Sequence, residues 1–139
     1  MYLIDTNVIS EIRKKQKANP GVQGFFKEAT QQASPLYLSV ITLGELRRGV
    51  EKIRHRGDTP QARQLEHWLN TLIRDYSQYI LEFGITEAQI WGKLRVPYYE
   101  NAIDKQIAAT AITYGLTLVT RNTRAFINTG VNVLNPFWN

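Results

Sequence analysis

Three acidic residues, Asp5, Glu45 and Asp104, have both the type and the setting for chemistry on phosphate oxygens. Asp5 follows directly on the apolar run Tyr2-Leu3-Ile4, a short strand by composition, and opens an Asp-Thr-Asn trio able to start a helix. Glu45 falls in the first turn of the helix expected after a second apolar run, and Asp104 begins a helix that leads into another strand. Each also has a purely structural explanation. Asp5 or Thr6 can cap a helix, Thr42-x-x-Glu45 reads as a capping box, and the helix dipole favours aspartate at a helix start. Their joint placement carries more weight, because the chain has only 12 acidic residues in 139 and three occupy such positions. In a parallel sheet, strand ends and neighbouring helix starts meet at one edge, so these carboxylates can converge on one cleft. Converging like charges require something positive between them. An oxygen-only donor set selects Mg²⁺ or Mn²⁺ over zinc or copper, and such ions keep waters and bind phosphate oxygens. The chemistry implied is metal-assisted phosphodiester hydrolysis.

Composition narrows the alternatives. The chain has no cysteine, which excludes disulfides, thiolate zinc sites and cysteine nucleophiles and fits a reducing, cytoplasmic setting. Its two histidines, His55 and His67, fall on predicted helices away from the strand ends, so a histidine-based, metal-free ribonuclease is the weaker reading. No glycine motif supports a phosphate-loop or dinucleotide role. No apolar run approaches the ~20 residues that span a bilayer, and no basic-then-apolar leader opens the chain, so no membrane association is expected. A net charge of +5 and a pI near 9.6 favour a polyanionic partner. The cations cluster at Arg13 to Lys17 and Arg47 to Arg56, with Lys93, Arg95, Lys105, Arg121 and Arg124 nearer the later motifs. Any one cluster also reads as a solvated helix face.

The elements that must position the acids follow from periodicity. Val8, Ile9 and Ile12 share one side of a short helix, and Asn19-Pro20 caps a second with Val22, Phe25, Phe26 and Ala29 inward. Leu36 to Ile41 reads as a strand giving way to helix at Thr42. Thr59-Pro60 opens a further helix with Leu65, Trp68, Leu69, Leu72 and Ile73 inward, forming a helical hairpin. Tyr79 to Phe83 is a third strand, and Thr86 with Gln89 forms a capping-box pattern for the next helix, closed at Pro97. Ile103 to Tyr114 is helical and stops at Gly115, Leu116 to Thr120 is the fourth strand, and Val131 to Leu134 is the last. Strands alternating with helices predict an α/β fold, a three-layer α/β/α sandwich on a parallel sheet of four or five strands, in one domain spanning 1–139.

Five segments in register resemble one family. Leu3-Ile4-Asp5-Thr6-Asn7-Val8-Ile9-Ser10-Glu11, Leu38 to Gly49 with its Thr42-Leu43-Gly44-Glu45 core, Ile103-Asp104-x-x-Ile107-Ala108-Ala109-Thr110-Ala111, Gly115 to Asn122, and the closing Val133-Leu134-Asn135-Pro136-Phe137 are similar to PIN-domain ribonucleases, specifically VapC-type toxins of toxin-antitoxin pairs. Each segment is short, but together they cover nearly the whole chain in the family's order. The resemblance implies a PIN-like fold and makes Asp5, Glu45 and Asp104 the metal-binding acids. It further implies Mg²⁺- or Mn²⁺-dependent cleavage of RNA, a homodimer, and inhibition by a VapB-like antitoxin whose tail fills the cleft. Thr120 matches the family's hydroxyl near the site and Asn7 sits beside Asp5 as a polar helper. Arg121, Arg47 and Lys105 are the expected contacts to the RNA backbone.

One departure stands out. The family's fourth acid follows the Thr-Arg pair directly or stands three residues further on, and here Asn122 and Ala125 occupy those places. Asn122 can contribute only a neutral oxygen, which predicts a one-metal or low-affinity site. The same gap supports the rival reading of a catalytically impaired module that binds RNA or an antitoxin. DNA cleavage, as in flap nucleases of related architecture, is a third reading.

Overall fold

A computed structural model describes all residues from Met1 to Asn139. Five strands, β1 (Tyr2–Ile4), β2 (Leu36–Ser39), β3 (Ile80–Leu81), β4 (Thr117–Val119) and β5 (Val133–Leu134), form one sheet in the order β3-β2-β1-β4-β5, with every pairing parallel. Six α-helices connect them: α1 (Thr6–Ile12), α2 (Pro20–Gln31), α3 (Val40–His55), α4 (Thr59–Asp75), α5 (Ile85–Leu94) and α6 (Ala102–Tyr114). No helix is long and apolar enough to cross a membrane.

Strand alternation separates two apolar layers. Ile4, Leu38 and Val119 join Val8, Ile9, Val22, Leu46, Val50 and Leu69 of α1 to α4 on one face. Leu3 and Leu118 join Ile107, Ala108 and Ala111 of α6, with Ala125 and Phe126, on the other. Adjacent residues of one strand therefore serve opposite cores, as a pleat of period two requires. The expected three-layer α/β/α arrangement is the one observed.

The strand order positions the site. The chain moves outward from β1 through β2 to β3, then returns to lay β4 against the other side of β1. Such a reversal opens a crevice at the carboxyl ends of the two central strands. Asp5 leaves β1 and Thr120 leaves β4 at this point, and the Asp5 N–H donates to the Val119 carbonyl at 2.9 Å.

Several boundaries differ from expectation for local reasons. The α3 helix starts at Val40, because Ser39 is its cap and accepts the Ile41 N–H at 3.0 Å. Thr42 is a buried helical residue, so Thr42 and Glu45 are not a capping box. The α5 helix starts at Ile85, ahead of Thr86, and Glu87 accepts the Gly84 N–H at 2.8 Å. Asp58 caps α4 by accepting the Gln61 N–H at 3.2 Å. The third strand contracts from the expected 79–83 to Ile80–Leu81, since it pairs only with Leu38 and Ser39 at the edge of the sheet.

Candidate active site

Asp5 combines both of its sequence readings. Its carboxylate caps α1, with Oδ1 accepting the Thr6 N–H at 2.8 Å, while Oδ2 accepts the Thr120 hydroxyl at 2.7 Å and the Asn7 amide at 3.4 Å. The residue is only 3% exposed. Burial pushes its pKa above the usual carboxylate range, and hydrogen bonds from Thr120, Thr6 and Asn7 partly offset that rise.

Asn7 and Thr120 hold this carboxylate from two sides. The Thr120 hydroxyl also accepts the Asn122 N–H at 3.0 Å and the Asn7 amide at 3.3 Å, which occupies its donor and both lone pairs. The Asn7 Oδ1 accepts the Arg121 N–H at 3.0 Å. The loop after β4 is thereby tied to the first turn of α1, and Asp5 is locked between them.

Glu45 reaches the same edge from α3. Its Oε1 accepts the Thr6 hydroxyl at 2.8 Å, and that hydroxyl lies 3.3 Å from the buried Thr42 hydroxyl. Thr6, by sequence a possible helix cap, links Glu45 to the strand end. Its signal was a hydroxyl directly after Asp5, on the turn that faces the next helix.

Asp104 occupies the third position of α6 and is half-buried. Its pKa is pushed up to about 6, by burial first and then by the negative charges of Asp5 and Glu45. The three carboxylates therefore share one electrostatic field, and none of them forms an ion pair with a Lys or Arg. No three Asp, Glu or His side chains form a group ready to hold a metal ion between them. The donors at this edge are carboxylates, hydroxyls and amides, with no sulfur or imidazole among them. That donor set suits a hard cation that keeps part of its water shell.

The expected RNA-backbone cations separate into different settings. Arg121 is exposed beside the Asp5–Thr120 junction, its guanidinium 4.8 Å from the centroid of the Phe137 ring. Arg47 differs from expectation, because it pairs with Glu66 at 2.6 Å and Glu51 at 3.3 Å in a network that includes Arg54 and ties α3 to α4. Lys105 also differs, being 3% exposed with its ammonium held by the Tyr98 carbonyl. A buried ammonium spent on a backbone carbonyl has no free face for a phosphate. Asn122 is exposed next to the site, while Ala125 is buried with Ile107, Ala108 and Phe126. His55 and His67 are exposed on α3 and α4.

Toxin FitB of Neisseria gonorrhoeae is 34% identical to this chain, with 99% of both chains aligned. The VapC ribonuclease Y4jK of Sinorhizobium fredii is 29% identical over 99% of this chain and 98% of its own. A crystal structure of FitAcB from N. gonorrhoeae superimposes with a TM-score of 0.84 at 32% identity, covering 98% of each chain. The PIN domain family matches residues 2–132, and from its first strand to the approach of its last this chain belongs to that family.

Proposed function

We propose that the protein is a Mg²⁺- or Mn²⁺-dependent endoribonuclease that acts as the toxin of a VapBC-type pair. The observation that carries this reading is the set of three carboxylates without cationic partners at the β1/β4 crevice, close enough that two of them raise the pKa of the third. A toxin and a VapC ribonuclease among the relatives support an RNA substrate and a toxin's role.

Asp5, Glu45 and Asp104 would hold the cation, directly or through its waters. When bound, the ion supplies an activated water and offsets charge gathering on the phosphate. The chain's own contribution is orientation. Thr120 and Asn7 fix the Asp5 carboxylate, Thr6 fixes Glu45, and α6 presents Asp104 from the opposite layer. Arg121 would contact the RNA backbone. Asn122 offers a neutral amide oxygen where the family has an acid, which weakens a second ion more than the first. A VapB-like antitoxin is the inhibitory partner, the active unit is a homodimer, and the setting is the cytoplasm.

Cleavage of single-stranded RNA by purified protein in Mn²⁺, and its loss in EDTA, is the direct test. Asp5→Asn should reduce turnover by at least about 100-fold with the fold retained, since asparagine still caps a helix. Equal turnover would refute the assignment. The absence of an acid at Asn122 and Ala125 favours a second reading, a binding module with impaired catalysis. RNA binding without cleavage at high Mn²⁺ would select it.

A further inference from the structure

The last residues of the chain leave the sheet at the same edge as Asp5 and Thr120 and close on the start of α2. The Leu134 carbonyl at the end of β5 accepts the Thr120 N–H at 2.9 Å, and the chain then turns as Asn135 Oδ1 accepts the Phe137 N–H at 3.0 Å. Asn19 clasps Trp138 twice, its Oδ1 accepting the Trp138 N–H at 2.9 Å and its Nδ2 donating to the Trp138 carbonyl at 2.8 Å. Gly21 lets this tail lie directly on α2, since a Cβ there would overlap the Pro136 carbonyl and the Trp138 indole.

Between these fixed points the Phe137 ring meets Arg121, whose guanidinium lies over it at 4.8 Å from the centroid. The main chain of Arg121 is tied to the site, because its N–H donates to Asn7 and Asn7 bonds the Asp5 carboxylate. Its exposed side chain forms no ion pair. Glu11, close enough to feel the Arg121 charge, is already taken by Lys14 at 2.9 Å and by the Asn19 N–H at 2.8 Å. A guanidinium seated over a ring keeps its in-plane N–H donors free, so ring and phosphate can be engaged together.

We propose that Phe137 is a positioning residue for RNA binding: the clasped tail holds the Arg121 guanidinium at the rim of the acid site, where it meets a phosphate of single-stranded RNA. The inference rests on the nuclease reading for its substrate. A mobile arginine loses rotamer freedom on meeting a phosphate, whereas one seated on a ring has lost it on folding and binds more tightly. Phe137 also packs against the first apolar layer, a task that needs no ring and that leucine could perform.

The test separates positioning from packing. Binding of a fluorescein-labelled single-stranded RNA decamer is read by anisotropy in Mg²⁺, on proteins carrying Asp5→Asn so that the RNA stays intact. Phe137→Leu should weaken binding roughly 3- to 10-fold, and Phe137→Tyr, which keeps a ring, should stay within about 1.5-fold of the parent. In an Arg121→Gln background Phe137→Leu should change affinity by less than about 1.5-fold, because the ring then has nothing to position. Gly21→Ala displaces the tail while leaving Arg121 and Phe137 in place, and it should reproduce the loss although alanine is the better helix former. It also carries the test in both backgrounds if Phe137→Leu does not fold, which circular dichroism would report. Equal weakening with and without Arg121, or none in either background, overturns the proposal. Cleavage in Mn²⁺ with Asp5 intact is followed in parallel, where Phe137→Leu should raise KM by the same factor and leave kcat within about twofold. A fall in kcat at constant KM would also overturn it. Coupling between Phe137 and Arg121 in a protein that cleaves no RNA would sink the nuclease reading and keep the positioning role. Absence of RNA binding in every protein, the parent included, would overturn both.

Discussion

Asp104 is the residue at which burial and function oppose each other most directly. Its folded pKa of about 6 lies above the ~3.9 of an unfolded aspartate, so the folded state binds this proton more tightly. The ionised group therefore destabilises the metal-free fold, fully above pH 6 and progressively less as pH falls toward 4. Asp104→Asn should stabilise the protein in EDTA at pH 7 by about 1 kcal/mol, after allowing for the solvent that reaches a half-buried carboxylate. The difference should vanish below pH 4. Thermal melts of both proteins at pH 7 and pH 3.8 check this, and a gap unchanged between the two pH values would contradict it. A group that weakens the empty fold and opposes its neighbours is expected where a cation is to be held. Glu45 changes meaning in the same way, since its bond to Thr6 replaces the local capping role that its spacing from Thr42 had suggested.

At the scale of elements, α3 carries Glu45, so where that helix begins determines which side chains face the β1/β4 edge. Ser39 sets its start by accepting the Ile41 N–H. Ser39→Ala should cost about 1 kcal/mol in urea denaturation, the usual loss of an N-cap, whereas Thr42→Val should cost less than half of that. Equal losses would restore Thr42 as the cap. The far side of α3 is held by the Arg47, Glu51, Arg54 and Glu66 network. On the other layer, Trp91 donates to the Ala102 carbonyl at 2.9 Å and Lys105 donates to that of Tyr98. These bonds secure the start of α6, and with it Asp104, to α5 and to the loop between the two helices.

For the whole molecule, net charge alone does not identify the cations that meet RNA. Among the three expected contacts, the structure leaves Arg121 exposed and without an ion pair, commits Arg47 to Glu66 and Glu51, and buries Lys105. Single-stranded RNA binding should therefore weaken as salt rises, with Arg121→Gln lowering the log–log slope by about 0.7 and Arg47→Gln leaving it unchanged. Anisotropy titrations from 50 to 300 mM KCl read both slopes, and a larger effect from Arg47→Gln would reverse the assignment. Much of this architecture was legible in the sequence. Strand and helix periods, the Asn19-Pro20 start and the Gly115 stop are short-range signals. Asp5 and Asp104 could be placed because strand ends and helix starts are local features. What only the tertiary structure decided are relations between residues far apart in the chain: Thr6 with Glu45, Asp5 with Thr120, Arg47 with Glu66, and Arg121 with Phe137. Periodicity reports which face of an element is apolar. Which polar group meets which across that face depends on how the elements pack, and packing is a property of the folded chain alone.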